Sequence, residues 1–276
     1  MKFQILGSMG TVVDGRVKAL EGTRQRTLLA LMLINPQKVV TKEQFFEEVW
    51  GNKLPSSPGN ALQAVVARVR KALAVEFGEQ FARQRLVTHT NGYAMDVDPC
   101  DIDAHLFGQL GAEAAIMARA DQTAARDLLD RALELWRGPA LQGVTGGLIC
   151  ESAAAQFEED RLAAVEARVQ LNIAVAGYSS VISELKKVAF LHPWRERLFE
   201  LLMICLYKVG RQAEAVQAYN YLRRRLVEDF GMEPSPNLRK CMLAILHQDP
   251  SLGSVERTVV GRQPFPAPSS LPALAF

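Results

Sequence analysis

The stretch Leu62-Gln63-Ala64-Val65-Val66-Ala67-Arg68-Val69-Arg70-Lys71-Ala72-Leu73, with Leu86-Val87-Thr88-His89 and Thr90-Asn91-Gly92-Tyr93 shortly beyond it, decides the fold. At 100° per residue, Leu62, Val65, Val66, Val69 and Leu73 gather on one side of a helix. Asn60, Ala64, Ala67 and Lys71 fall opposite, and Gln63, Arg68 and Arg70 flank them. Ser57-Pro58 supplies an N-cap and the proline favoured in a first turn, so the helix starts there and runs to about Val75. No acid occurs from Asn60 to Val75. An ordinary solvated face has the same composition. A DNA-reading face needs it, because small residues let a helix sink into the major groove, Gln and Asn address base edges, and Arg and Lys pair with phosphate or guanine.

The next element separates the two readings. Leu86 to His89 alternates into the turn Thr90-Asn91-Gly92, and Tyr93 to Val97 returns, a β-hairpin directly after a basic helix. Upstream, Phe3 to Leu6, Thr11 to Val13 and Arg16 to Leu20 are extended segments punctuated by Gly7, Gly10 and Asp14-Gly15, which predicts a small antiparallel sheet. A first helix starts near Thr23, buries Leu28, Leu29, Leu31, Met32 and Leu33, and stops at Asn35-Pro36. Val39-Val40 is a short extended link. Thr41-Lys42-Glu43-Gln44 matches a capping box, so a second helix carries Phe45, Phe46, Val49 and Trp50 inward and ends at Gly51. Sheet, three helices and hairpin in this order is the winged helix-turn-helix plan.

The quoted string resembles the effector domain of OmpR-type response regulators. Ile5-Leu6-Gly7, Arg24-Gln25-Arg26 and the second half of the chain narrow the resemblance to the Streptomyces antibiotic regulatory protein family, in which this domain precedes a bacterial transcriptional activation domain. Family-like residues extend from about Lys2 to Leu252. In that second half, Leu133-Glu134-Leu135-Trp136-Arg137-Gly138, His192-Pro193 with Arg195-Glu196-Arg197, Gly210-Arg211-Gln212-Ala213 and Phe230-Gly231-Met232-Glu233-Pro234 carry the likeness. The family pattern departs at Ala94, where the wing's Gly-Tyr is followed by arginine elsewhere, and at Ala67.

The resemblance implies an activator of secondary-metabolite genes that binds direct repeats near a promoter core and recruits RNA polymerase holoenzyme, with a second copy bound head to tail. Base reading then falls to Gln63, Ala64, Ala67 and Arg68, with Asn60 also among the DNA-binding residues. Arg70, Lys71 and the wing residues Thr88, Thr90 and Asn91 take the DNA backbone or minor groove. Two alternatives remain open at this stage: an adaptor whose first domain binds protein, and a repressor using the same DNA contacts.

Beyond Pro99 the strand signals cease. Ala215, Tyr219 and Leu222 follow Gly210 at the small, aromatic and apolar positions of a tetratricopeptide unit, and Ala125, Leu129 and Ala132 repeat those offsets from Ala120. A looser copy follows Gly177, with Ile182, Leu185 and Ala189. An interruption is expected in the glycine-rich segment Arg137 to Glu151. Arg223-Arg224-Arg225 reads as a solvated face neutralised by Glu228 and Asp229, and Trp136 and Trp194 as packing residues. The expected organisation is α+β then all-α: a winged domain over 1–98, a helical repeat domain over 99–252, and a disordered, proline-rich tail over 253–276.

Charge agrees with that division. Residues 1–99 hold thirteen Lys/Arg against nine Asp/Glu, a net of +4, and residues 100–250 hold seventeen against twenty, a net of −3. A basic first domain suits a polyanion. Cys100, Cys150, Cys205 and Cys241 form no C-x-x-C pair, as in a reduced cytosolic protein, and His89, His105, His192 and His247 share no metal-ligand spacing. The sequence contains no H-E-x-x-H, no G-x-S-x-G and no phosphate-binding glycine loop. The reading is therefore of a non-enzymatic, cytoplasmic bacterial protein, nucleoid-associated when bound to DNA, without metal or cofactor. The longest apolar run, Leu28 to Ile34, is too short to span a membrane.

Overall fold

A computed structural model describes residues 2–249 and Leu252, so the expected tail lies outside the described residues. The described residues divide into two compact units, one of residues up to 112 together with 130–162, the other of residues 113–129 together with 163–249.

The first unit opens with β1 (Phe3–Gln4), β2 (Gly10–Val13) and β3 (Arg16–Ala19), an antiparallel sheet in that order. Asp14 and Gly15 make the tight turn between β2 and β3 with φ of 49° and 74°, a region that glycine enters without steric cost. Helix α1 (Thr23–Ile34) is buried at every position from Thr27 to Ile34, rather than on one face. It is the central helix of the unit, packed against α2 (Lys42–Trp50), α3 (Pro58–Phe77) and the wing. The capping box at Thr41 forms as expected: its hydroxyl accepts the Gln44 N–H, and the Gln44 side chain accepts the Thr41 N–H. Phe45 and Trp50 are buried, whereas Phe46 and Val49 are only half-buried.

Three features depart from the sequence reading. Helix α3 runs two residues further, to Phe77. A short helix α4 (Glu79–Arg85) separates it from the hairpin β5 (Leu86–His89) and β6 (Gly92–Met95). Val40 lies in a strand, β4 (Val40–Thr41), which pairs with β6 and makes the wing three-stranded, in the order β4-β6-β5. Gly92 is required by that pairing, because a Cβ there would collide with the Val40 carbonyl oxygen.

The remainder is helical: α5 (Asp103–Met117), α6 (Gln122–Leu133), α7 (Leu148–Ala176), α8 (Ile182–Leu191), α9 (Glu196–Lys208), α10 (Gln212–Phe230) and α11 (Pro236–Leu246). The segment between α6 and α7 is the expected glycine-rich interruption, and it pairs with the link between β1 and β2. Arg137 N donates to Leu6 O at 3.0 Å, Leu141 N to Ile5 O at 2.8 Å and Gln142 N to Gly7 O at 3.1 Å. Gly7 admits this approach, since a Cβ there would stand 3.2 Å from the Arg137 backbone. Asp103, fully buried at the start of α5, accepts the N–H of Ile5 at 2.7 Å and of Leu6 at 3.1 Å. Elements on either side of residue 98 thus share one core.

In the second unit, α9 is the central helix, buried along Leu198–Leu206 except at Glu200 and packed by α8, α10 and α11. The repeat positions Ile182, Leu185, Ala189, Ala215 and Leu222 are buried, as are Ala125, Leu129 and Ala132 further upstream. Trp136 is a packing residue, edge-on to Phe107 at 5.6 Å and beneath the Arg161 guanidinium at 4.8 Å. Trp194 is not: it is 58% exposed, in the turn before α9. No described helix is long and apolar enough to cross a membrane.

Candidate nucleic-acid interface

Helix α3 is held by its buried side, Leu62, Val65, Val66, Val69 and Leu73, against α1 and α2. That packing leaves Asn60, Gln63, Ala64, Ala67, Arg68 and Lys71 exposed together. The helix begins with Pro58 at its first turn and carries no acid there. Exposed amide, methyl and cationic groups therefore form one surface with no carboxylate on the helix until Glu76, past the proposed reading positions.

The wing is tied to this helix by Arg70, which is half-buried. Its guanidinium donates to the Leu86 carbonyl at 2.9 Å and to the Thr88 hydroxyl at 2.7 Å. Arg70 and Thr88, singled out separately from the sequence, are thus partners, and a single guanidinium nitrogen, Nη2, links the helix to the hairpin through two charge-assisted bonds. The tip residues Thr90 and Asn91 are exposed. They are anchored from α2 by Lys42, whose Nζ donates to Thr90 O at 2.9 Å and whose backbone N–H donates to Asn91 O at 2.9 Å. Lys42 escaped the sequence reading because it occupies a neutral position of the capping box.

Tyr93 and Ala94 point elsewhere. Tyr93 is buried edge-on to Phe45 at 6.1 Å, and Ala94 is 3% exposed, so position 94 offers DNA no side chain in this fold.

A second residue missed from the sequence is Glu48. It is 5% exposed, and its carboxylate accepts the N–H groups of Gly147 at 2.7 Å, Ile149 at 2.7 Å and Cys150 at 3.2 Å. These are the unpaired donors at the start of α7, where a helix favours negative charge. Gly146 and Gly147 make room for it, since a Cβ on either would lie 3.0 Å from a Glu48 oxygen. Burial and the Glu48 carboxylate push the Cys150 thiol well above its ordinary range, which leaves it neutral and unreactive. Nearby, Arg26 Nε donates to Gly143 O at 2.8 Å, and the His105 ring pairs with Leu33 O at 3.1 Å.

Two of the three arginines of the run on α10 are paired: Arg223 with Glu233 through two contacts of 2.7 Å, and Arg225 with Asp229 at 2.8 Å. Asp229 was expected in that role, and Glu233 was not. Among the described residues no group of His, Cys, Asp and Glu could hold a metal ion, and the four cysteines are free.

Comparison with known proteins agrees with this layout. Residues 19–95 match the family described as "Transcriptional regulatory protein, C terminal", and residues 102–246 match "Bacterial transcriptional activator domain". The chain is 36% identical over 272 residues to the transcriptional regulator RedD of Streptomyces coelicolor, covering 98% of this chain and 77% of that protein. It is 31% identical to the regulatory protein DnrI of Streptomyces peucetius, covering 91% and 94%. Among solved structures, Mycobacterium tuberculosis EmbR in complex with a low-affinity phosphopeptide superposes with a TM-score of 0.82 at 29% identity, covering 90% of this chain and 65% of EmbR.

Proposed function

Because the chain belongs to the Streptomyces antibiotic regulatory protein family of transcriptional regulators, we propose that it activates secondary-metabolite genes by binding promoter direct repeats and recruiting RNA polymerase holoenzyme. The observation that carries the DNA half of this reading is the exposed, acid-free outer face of α3 beside a wing fastened to it by Arg70. On this reading α3 lies in the major groove, with Gln63, Ala64, Ala67 and Arg68 over base edges and Asn60 at the helix start. Lys71 and the wing residues Thr88, Thr90 and Asn91 track the backbone, and Arg70 acts by orienting the wing. Two copies sit head to tail about one helical turn apart, each reading one repeat.

The polymerase half is supported by the family's activation domain over residues 102–246 and by the helical repeat architecture, which offers broad protein-binding surfaces. The test is paired: footprinting on the cognate promoter, and run-off transcription with purified polymerase. Protection of two repeats with increased transcript bears the proposal out. Protection with decreased transcript makes the protein a repressor, and no protection makes it an adaptor.

A further inference from the structure

A cleft of about 570 Å³ lies in the first unit between β3 and the second half of α3. Buried Thr11 and Leu20 line it, with three cations, Lys18 from the strand and Arg68 and Lys71 from the helix, against two carboxylates, Glu76 and the exposed Glu21. β3 is the end strand of its sheet, and all four of its residues are exposed. Lys18 reaches across the cleft to Glu76 at 2.7 Å, and the two ends of that ion pair differ: the lysine side chain is 65% exposed and the glutamate 13%. The carboxylate is the fixed member. The ammonium is held over the cleft and still reachable from solvent.

We propose that the phosphodiester backbone of bound duplex DNA runs over this cleft and is gripped by Lys18 together with Lys71, with Glu76 as an internal competitor that the DNA displaces. The proposal rests on the reading of α3 as the DNA-facing helix. Lys18 lines the same cleft as Arg68 and Lys71, so a strand outside the helix-turn-helix and the wing adds a third point of contact. The pair is open to solvent and to screening ions at its lysine end, which limits its strength. Exchanging it for a phosphate releases a condensed counterion, which favours the exchange at low salt. Glu76 keeps Lys18 neutralised in free protein, so the contact forms only where phosphate density is high.

The experiment uses the full chain and a fluorescein-labelled random-sequence duplex, with affinity followed by fluorescence anisotropy across a salt series. Lys18→Gln should lower the log-log slope by about 0.9, the value for one phosphate contact, and weaken low-salt binding several-fold. Lys18→Arg should preserve the slope. Glu76→Gln should tighten binding several-fold without lowering the slope, and it reads the same lysine without touching the strand. If Lys71→Gln lowers the slope and Lys18→Gln does not, the cleft is off the DNA path and the proposal falls while the reading of α3 stands. If neither changes it, the reading of α3 itself falls. Unchanged affinity in Glu76→Gln removes the competitor role.

Discussion

The carboxylate of Glu48, on α2, accepts the backbone N–H of Ile149 at 2.7 Å across 101 residues of chain. With Gly147 and Cys150 it forms a three-donor cap on α7, buried beside a core cysteine. Glu48→Ala should destabilise the protein by about 2–5 kcal/mol, because three donors lose a charged acceptor out of reach of water. Glu48→Gln, which keeps one acceptor oxygen, should cost roughly half as much. Urea unfolding of the full chain measures both, and equal, sub-kcal losses would show that the cap contributes little.

Asp103 gives the protein a pH signature. Burial raises its carboxyl from 3.8 to about 6, against the opposing pull of the Ile5 and Leu6 N–H groups and Arg137. A folded-state value above the unfolded one means that the folded state binds the extra proton, so this stabilisation is complete below about 3.8 and is lost as pH rises through 6. The magnitude is about 3 kcal/mol. His105, two residues on, is shifted down by burial and works in the opposite direction. The difference in unfolding free energy between wild type and Asp103→Asn removes the histidine contribution. It should fall, at wild type's expense, between pH 4 and pH 7 and stay flat above. A difference independent of pH would show that Asp103 titrates alike in the folded and unfolded chain.

DNA affinity should fall steeply with salt, with a log-log slope of roughly −4 to −5 for one copy neutralising about 4–6 phosphates, and twice that for a pair. Lys71→Ala should weaken binding to every sequence alike. Gln63→Ala and Arg68→Ala should also relax base preference, at roughly 1–3 kcal/mol per lost base contact. Selection from random DNA distinguishes them, and an unchanged consensus for both would move base reading elsewhere.

Arg70→Met should loosen the wing, not remove a phosphate contact. The expected result is weaker binding to all sequences with the salt slope nearly unchanged, and a coupling of about 1 kcal/mol with Thr88→Val in a double-mutant cycle. A slope reduced by about 0.9 with no coupling would return Arg70 to the DNA backbone.

A fragment ending at residue 98 carries every residue assigned to DNA and none of the second unit. It also lacks Asp103, the 137–142 segment and the α7 start, which satisfy Ile5, Leu6 and Glu48. It should bind repeat DNA more weakly than the full chain, melt earlier and fail to activate transcription. Equal melting temperatures would mean that these partners add nothing to the winged fold.

What was legible in the sequence is what periodicity and capping encode locally. The buried side of α3, the capping box at Thr41, the first sheet and the hairpin all follow from residues within a few turns of one another. Glu48 was illegible because its partners are backbone groups about 100 residues away, and a lone glutamate on an amphipathic helix looks the same whether it meets water or a helix end. Helix α4 is seven residues long and buries only Ala82, too short for a period to register. Trp194 misled by residue type: the turn around Pro193 leaves the indole outward.

The discontinuity of the first unit also has a kinetic meaning. The nascent chain finishes the wing near residue 95, but the groups that satisfy Glu48 are made roughly 50 residues later, a delay of about 3–10 s at ~5–20 residues per second. Until then Glu48 lacks its backbone donors and residues 5–7 lack the 137–142 segment that pairs with them. Synthesis itself therefore completes the partners of the first unit only once the start of α7 has been translated.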